Sequence, residues 1–409
     1  MIDLSRPVNL SSPDFIDHKY DYYERMREVQ PVGRARVSVM TLYTLSRYED
    51  CTSILKDPRV LRNRSTVTGG SRVPLPMPRS VRPLSESMIT EDAPNHRRLR
   101  ELVRRGFRPQ AIKTLESRID SYSRELLDRL PTAGPFDLQA HYARPIPVRM
   151  ISDMMGVSHA DMPTFQNLFG VLTKGFSGLR LIRTMFWDLP EVVRFVRNMV
   201  REKRGNPGDD ILTGLIEAED DGDSLSEDEL VAMVFLLVIA GFETTVHLIT
   251  NGVLTLLDHP EQLERLRADP ALIDSAVEEI LRHRGPVQST KPGYATEDIT
   301  LHGVTIPRGK PIMPLFGAAN HDPRAFDSPQ TFDIGRTPNR HLGFGHGVHF
   351  CLGAHLARAE ARLGILNLIE RFPDLHLAVD RSALTLQRMP GWHRYDALPI
   401  ATRRLRAAA

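Results

Sequence analysis

The densest group of reactive side chains lies in FGHGVHFCLG, residues 344–353, where one cysteine stands among histidines. Thiolate and imidazole are ligands that zinc prefers, so a zinc site is one candidate. Its ligands would be Cys351 and the neighbouring histidines His341, His346, His349 and His355. Structural zinc sites usually take their ligands in two close pairs, whereas here a single thiolate precedes a predicted helix. The spacing therefore argues against zinc and favours a cysteine held alone by a loop.

Three glycines punctuate this segment, at Gly345, Gly347 and Gly353. Glycine tolerates positive φ angles and lets the backbone approach a flat ligand closely, and we expect these three to do so. Loop amides and the N-terminus of the following helix would direct hydrogen-bond donors at the sulfur of Cys351. A thiolate stabilised in this way is what a haem iron with an axial cysteine requires. The plainer alternative, a buried cysteine in a glycine-rich turn, accounts poorly for the ten-residue pattern.

A carboxylate and a hydroxyl follow the longest apolar run of the chain, which is twelve residues long. They belong to Glu243 and Thr244, inside a helix predicted over residues 227–257. Burying these groups is costly unless they are paired or used in chemistry. Gly241 weakens the helix, and a threonine hydroxyl can bond a carbonyl one turn back, so we expect a locally opened turn.

Helix-period segments dominate the rest of the chain, and strand-like stretches cluster near residues 33–46 and 294–314. The pattern predicts a mainly α fold with small antiparallel sheets. It offers no clear point of division, so we expect a single domain over residues 1–409. The proline-rich connection 65–89 is expected to be either a flexible access lid or simply disordered.

Composition excludes several classes of protein. The 409 residues carry 53 Lys and Arg against 51 Asp and Glu, a net charge of +2, which excludes nucleic-acid binding driven by bulk charge. Two cysteines exclude a disulfide framework and fit a cytoplasmic location, with Cys51 expected to be a packing residue. The N-terminus resembles no signal peptide, and a twelve-residue helix spans only about 18 Å, so no membrane anchor is expected.

The segment FGHGVHFCLG resembles the haem-binding signature of the cytochrome P450 family, F-G-x-G-x-H-x-C-x-G, at every defined position. Three further family motifs occur in the expected order. AGFETT, residues 240–245, resembles the oxygen-activation motif, Glu279 with Arg282 the E-x-x-R pair, and EDAPNHRRLR, residues 91–100, the propionate-binding helix. Because four motifs are in register, the resemblance covers roughly the whole chain.

This resemblance implies a haem-thiolate monooxygenase that inserts one atom of O2 into an apolar or amphipathic organic substrate by hydroxylation or epoxidation. Its cofactor would be haem b. No flavin or iron–sulfur motif occurs in the sequence, so electrons from NAD(P)H would arrive through a separate ferredoxin or flavodoxin with its reductase. A monomer is expected. The alternatives are a peroxide-driven peroxygenase, which would not need Glu243 and Thr244, and a haem sensor or carrier without turnover.

The resemblance also implies roles for individual residues. Cys351 would be the axial ligand of the iron, Thr244 would hydrogen-bond the oxygen, and Glu243 would relay protons. The implied haem contacts are His96, Arg100, His349, Phe344, Gly345, Gly353 and Ala240. Glu279, Arg282 and Arg336 would brace the cysteine loop as scaffold. The implied substrate contacts are Ile89, Leu236, Ile239, Val287, Gln288, Ser289 and Met389.

Two further features of the sequence are not part of the family motifs. Gly293 occupies a position where the family usually has a propionate-binding arginine, and the nearby Lys291 is a candidate substitute. The helix that carries His96 is strongly basic, which is either a solvated face or a docking surface for an acidic electron donor. Its further arginines are Arg97, Arg98, Arg104, Arg105 and Arg108.

Overall fold

The computed structural model describes residues 2–70, 78–104, 109–131, 134–158, 160–172, 183–220 and 223–402. Helices dominate these ranges. The longer ones are Lys19–Val29, Tyr48–Ile54, Asn95–Arg104, Pro109–Arg129, Pro145–Met154, Met162–Leu172, Leu189–Gly205, Ile211–Glu217, Glu227–Asp258, Pro260–Ala268, Ile273–Arg284 and Ala354–Arg371. Short α-helices are Pro13–Asp17, Arg64–Thr68 and Phe316–Ala319, and π-helical turns are Gln139–Ala143 and Thr184–Asp188. The 3₁₀ helices are Arg79–Glu86, Met88–Thr90, Pro270–Leu272, Gly347–His349 and Arg381–Ala383.

The strands are short and form four small sheets. In chain order they are β1 Val8–Asn9, β2 Val32–Val37, β3 Met40–Leu45, β4 Val60–Leu61, β5 Phe136–Asp137, β6 Glu219–Asp220, β7 Asp223–Ser224, β8 Gly293–Ala295, β9 Ile299–Leu301, β10 Val304–Ile306, β11 Pro311–Pro314, β12 His376–Leu377 and β13 Pro399–Ala401. The largest sheet has the order β1-β2-β3-β11-β8-β4, and the others are β9-β10, β12-β13-β5 and β6-β7.

The predicted mainly α fold with small sheets is confirmed, with one refinement to the sheets. β1 pairs with β2, and β3 with β11, in parallel, while the remaining pairs are antiparallel. Parallel strands need a connection longer than a hairpin, and β3 and β11 lie far apart in the chain. The predicted hairpin in ITLHGVTIP is present as β9 and β10, and its turn residues His302 and Gly303 have φ angles of 48° and 75°.

The described residues divide into two compact units that interleave along the chain. The first unit comprises residues up to Leu61, Glu116–Ile146 and the chain from Thr244 onwards, and the second comprises Arg62–Leu115 and Pro147–Glu243. All sheets except β6-β7 belong to the first unit. The assignment of residues 1–409 to a single domain stays a prediction.

The helix Glu227–Asp258, here called the central helix, is the longest described element at 32 residues. Its start is a capping box, in which the Ser226 amide donates to Glu229 Oε2 at 2.9 Å and the Glu229 amide donates to Ser226 Oγ at 3.3 Å. Among the described residues it is the one helix long and apolar enough to cross a membrane, and 61% of its apolar window is buried inside the protein. That burial is the pattern of a core helix.

Two other segments test sequence expectations. Cys51 lies within the helix Tyr48–Ile54, is fully buried and donates its thiol to the Leu45 carbonyl at 3.3 Å, so its predicted packing role is confirmed. Burial raises the pKa of this thiol. In the connection 65–89, residues 71–77 lie outside the described ranges, and the lid interpretation stays a prediction.

Candidate active site

The cysteine loop, residues 341–353, is a tight hydrogen-bonded turn. The Cys351 amide donates to the Phe344 carbonyl at 2.9 Å, and the Gly345 amide donates to the Leu342 carbonyl at 2.8 Å. Gly345 and Gly347 have φ angles of 73° and 71°, in the region that favours glycine. The loop therefore folds Cys351 back over its own beginning.

Close packing adds a second requirement for glycine at Gly347, because a Cβ there would lie 2.7 Å from the Leu55 carbonyl oxygen. Gly353 departs from the expectation of a positive φ, since its φ is −86° and it caps the helix Ala354–Arg371. A Cβ at Gly353 would meet nothing within 4 Å, so the backbone there has open space beside it. This opening lies next to the half-buried Cys351, which forms no disulfide, and it suits a flat ligand.

A buried ion pair lies beneath the loop. Arg282 donates to both carboxylate oxygens of Glu279 at 2.8 and 2.7 Å, and both side chains are fully buried. The other donors of Arg282 reach the carbonyls of Asn320, Pro329 and Thr331, so all five guanidinium N–H groups are used. Arg336 Nε also donates to Glu279, at 3.1 and 3.2 Å. The structure thus brings together the three residues expected to act as scaffold.

The ion pair is connected to the cysteine loop through Asn320. Arg282 Nη1 donates to the Asn320 carbonyl at 3.0 Å, and Asn320 Oδ1 accepts the Leu342 amide at 2.7 Å. Leu342 in turn accepts the Gly345 amide that closes the turn. Three hydrogen bonds therefore lead from the Arg282 guanidinium into the loop.

A second brace, which the sequence did not suggest, centres on Glu278. Arg358 donates to both of its carboxylate oxygens at 2.6 and 2.9 Å, and His341 Nε2 lies 3.0 Å from Oε2. The Arg358 guanidinium also lies over the Phe344 ring, 4.5 Å from its centroid. His341, first considered as a zinc ligand, is thus a structural partner. Among the described residues no group of histidine, cysteine and carboxylate side chains could hold a metal ion by itself.

The central helix carries Glu243 and Thr244 without the opened turn that we expected. It is α-helical throughout, and Gly241 serves packing instead, since a Cβ there would lie 2.5 Å from Ile151 Cδ1. Glu243 is buried and Thr244 is partly exposed.

One face of this mostly buried helix is open. Ala240 is exposed, and Leu236, Ile239 and Thr244 are partly exposed. Positions 236, 240 and 244 share one helical face, because residues four apart lie above one another. An apolar stripe ending in a hydroxyl is therefore accessible to a ligand on a helix that is otherwise part of the core.

The helix Asn95–Arg104 presents His96 and Arg100 one turn apart. His96 is buried, and burial together with the charges of Arg100 and Arg62 lowers the pKa of its imidazole, while Asp92 acts in the opposite direction. This environment favours the neutral form of the His96 imidazole, which retains one N–H donor. Its backbone amide donates to the Asp92 carbonyl at 2.9 Å.

One arginine on the basic face of the same helix is paired within the protein. Arg98 is paired with Glu229 of the capping box and donates to Asn95 Oδ1 at 3.0 Å. Arg97 and Arg104 are exposed, whereas Arg105 and Arg108 lie outside the described residues. The docking surface stays a prediction.

The expected substrate contacts fall into one group in each unit. In the first unit, the Gln288 amide donates to the Gly391 carbonyl at 2.8 Å, and Val287 pairs with Trp392, so these residues lie beside the segment that carries Met389. Gln288 and Ser289 are buried. In the second unit, Ile89, Leu236 and Ile239 are partly exposed. His349 and Phe344 are also partly exposed, within the cysteine loop.

Fold and site together define a mainly α protein that presents a single cysteine from a glycine-rich loop and has an open face with a threonine on its central helix. The family model of the cytochrome P450 family matches residues 135–381. This chain belongs to that family. Its residues suit the haem that the family binds, because the loop supplies a cysteine sulfur outside any disulfide beside open space, and the helix Asn95–Arg104 supplies polar donors.

Three relatives illustrate the similarity. Cytochrome P450 107B1 of Saccharopolyspora erythraea is 40% identical over 89% of this chain and 90% of its own. The 6-deoxyerythronolide B hydroxylase of the same organism is 34% identical over 96% of this chain and 98% of its own. The solved structure of the bacillaene polyketide synthase P450 PksS from Bacillus subtilis has a TM-score of 0.90 at 34% identity, covering 97% and 99% of the two chains.

Membership of the family and these relatives make the chain a haem-thiolate monooxygenase that uses haem iron and O2 on an organic substrate. Enzymes of this bacterial group act in secondary metabolism, on small substrates, and generally receive electrons from separate redox proteins.

The Arg282 network predicts a large stability difference between two arginines. Arg282→Ala would leave the Glu279 carboxylate buried without its main partner, which costs about 3–5 kcal/mol. Arg265→Ala removes an exposed pair with Asp333 and should cost less than about 1 kcal/mol. Urea unfolding of the two haem-loaded variants measures the difference. Equal losses of stability would show that the buried pair does not support the fold.

The Glu278 brace predicts a pH dependence. Burial raises the pKa of this carboxyl, but hydrogen bonds from Arg358 and His341 outweigh it and lower the pKa to about 2. Because the pKa is lower in the folded protein than in the unfolded chain, the ionised Glu278 stabilises the fold. This stabilisation is fully present above the unfolded-state pKa of about 4.5 and is lost as the pH falls towards the folded-state pKa of about 2.

The free energy of unfolding of wild type should therefore exceed that of Glu278→Gln by roughly 3 kcal/mol at neutral pH. This difference should disappear as the pH falls from about 4.5 to about 2. Urea midpoints against pH check this. The exposed Glu125, exchanged for Gln, is the matched control and should show no such closing gap. A pH-independent difference for Glu278→Gln would contradict the assignment.

Proposed function

We propose that this monooxygenase hydroxylates or epoxidises a large apolar or amphipathic natural product of the polyketide class. The observation that carries the proposal is the Cys351 loop combined with the open apolar face of the central helix. Two relatives, the bacillaene polyketide synthase P450 PksS and the 6-deoxyerythronolide B hydroxylase, are named for polyketide chemistry. Similarity over almost their whole lengths supports a substrate of the same class.

The cofactor in this proposal is haem b, with Cys351 as its axial ligand. When bound, it supplies the chemistry of O2 activation and of oxygen insertion. His96, Arg100 and His349 would hold its propionates, and Phe344, Gly345, Gly353 and Ala240 would contact its ring. Support comes from the partly exposed loop, the space beside Gly353 and the exposed Ala240.

Proton delivery would fall to Thr244 and Glu243. Thr244 is partly exposed on the open face and carries a hydroxyl that can donate a hydrogen bond, and the neighbouring Glu243 is a buried carboxyl that can carry a proton. Substrate would lie against the same face, at Leu236 and Ile239, with Ile89, Val287, Gln288, Ser289 and Met389 as further contacts.

The electron supply would be a ferredoxin or flavodoxin with its reductase, driven by NAD(P)H. We further propose that the enzyme is a cytoplasmic monomer. Two cysteines without a disulfide between them, and a core helix that is mostly buried, support this location.

The proton-delivery role predicts uncoupling in Thr244→Ala. Without the hydroxyl, electrons should still be consumed, but more of them should appear as hydrogen peroxide and fewer as hydroxylated product. Thr250→Ala is the matched control, because the buried Thr250 hydroxyl bonds the Val246 carbonyl one turn back at 3.1 Å. Peroxide released per electron consumed is the measurement. An unchanged ratio in Thr244→Ala would refute the role.

The substrate class is tested by ligand-induced spin-state shifts across macrolactone, steroid, fatty-acid and terpenoid libraries. Macrolactones should give the largest shifts and should be hydroxylated or epoxidised with a surrogate ferredoxin and reductase. Leu236→Phe, which narrows the open face, should weaken that binding more than the volume-conserving Leu236→Met. Shifts restricted to fatty acids or steroids would contradict the polyketide proposal. Turnover with peroxide alone would favour the peroxygenase.

A further inference from the structure

Arg62 is a basic residue that no sequence motif singled out. Its backbone is fixed by Asp92, whose carboxylate oxygens accept the amides of Arg62 and Asn63, each at 2.8 Å. The Asp92 carbonyl in turn accepts the His96 amide at 2.9 Å, at the start of the helix that carries Arg100. One aspartate therefore ties the Arg62 segment to the predicted propionate-binding helix.

The guanidinium of Arg62 is not satisfied by the part of the protein that the structure describes. The side chain is partly buried, and its Nη1 atom is closed off from solvent with no hydrogen-bond partner among the described residues. Burial lowers the pKa of this guanidinium to about 10, and the charge of Asp92 only partly offsets this effect. A buried N–H donor without a partner costs about 1–3 kcal/mol, so a further hydrogen-bond acceptor beside this nitrogen is expected.

Several charged groups lie around this donor. Arg62 and Arg100 both act on the His96 imidazole, as do the carboxylates of Asp92 and Glu91. Asp92 already accepts two backbone amides. Arginine presents a planar fork that matches a carboxylate, so an anionic carboxylate is the ligand that best suits Arg62 beside this helix.

The local backbone leaves no room for an arginine side chain at position 293, and Arg62 follows the neighbouring strand. In strand β8, a Cβ at Gly293 would lie 2.4 Å from Val60 Cγ1, so Val60 fills the space of a side chain there. β4 pairs with β8 in a register that sets Leu61 opposite Tyr294, and Arg62 follows Leu61 directly. Lys291, the substitute first considered, is exposed.

We propose that Arg62 binds a haem propionate and replaces the arginine that the family usually carries at the position of Gly293. The inference rests on the proposed haem contacts of the same helix. It adds a residue from outside the four recognised motifs to the anion-binding set of His96 and Arg100.

The test uses the haem-loaded protein and two readouts. The first is the rate of haem transfer to excess apomyoglobin. Arg62→Ala should lose haem about 10- to 100-fold faster than wild type, as expected for loss of a charge-assisted hydrogen bond. Arg62→Lys should fall between the two. Lys291→Ala and Arg82→Ala, which removes an exposed arginine, should match wild type.

The second readout is the propionate bending band in the resonance Raman spectrum, which reports hydrogen bonding to the propionates. It should shift in Arg62→Ala and stay in place in both control variants. Faster haem loss with an unshifted band would assign Arg62 a merely structural role and overturn the inference. Unchanged haem loss would also overturn it. A wild-type protein that binds no haem would overturn both this inference and the proposed function.

Discussion

The buried ion pair between Glu279 and Arg282 is the interaction on which the cysteine loop depends. Two charges without solvent contact cost several kcal/mol each unless their attraction and hydrogen bonds compensate for that loss. The compensation comes from outside their own helix, through carbonyls of Asn320, Pro329 and Thr331 and through Arg336. The pair is therefore satisfied only when the chain leading to the loop is in its native position. The stabilisation that this ion pair provides therefore depends on the same backbone geometry that positions Cys351.

This dependence separates two properties of the site. The loop is held firmly, by the Arg282–Asn320–Leu342 connection on one side and by the Glu278 brace on the other. The central helix contributes accessibility, because its open face interrupts a core helix that is otherwise buried. A fixed cysteine and an accessible apolar surface would meet different needs of the proposed site, namely a constant position for the cofactor ligand and room for the substrate.

Local patterns were predicted well from the sequence, and long-range contacts were not. The Ser226–Glu229 cap, the β9-β10 hairpin and the glycine turn at Gly345 and Gly347 depend on neighbouring residues, whose spacing is visible in the sequence. The Glu278 brace joins residues about 60 and 80 positions apart, and no spacing rule connects them.

The sequence-based predictions failed where one residue type can serve two different structural roles. Gly241 was expected to open the helix, but it admits the Ile151 side chain. His341, which the spacing already argued against as a zinc ligand, contacts Glu278 instead. Arg62 carried no sequence signal at all, because its significance lies in a buried, unpartnered Nη1 atom within the described structure.

The central claim is that Cys351 is the protein ligand of a haem iron. The most direct measurement is the carbon-monoxide difference spectrum of the reduced protein, recorded for wild type and for Cys351→His. We expect the red-shifted Soret band of thiolate-ligated haem in wild type and its replacement, in the variant, by the band of histidine-ligated haem. A wild-type spectrum of the histidine type, or a red-shifted band that survives in Cys351→His, would show that Cys351 does not bind the iron.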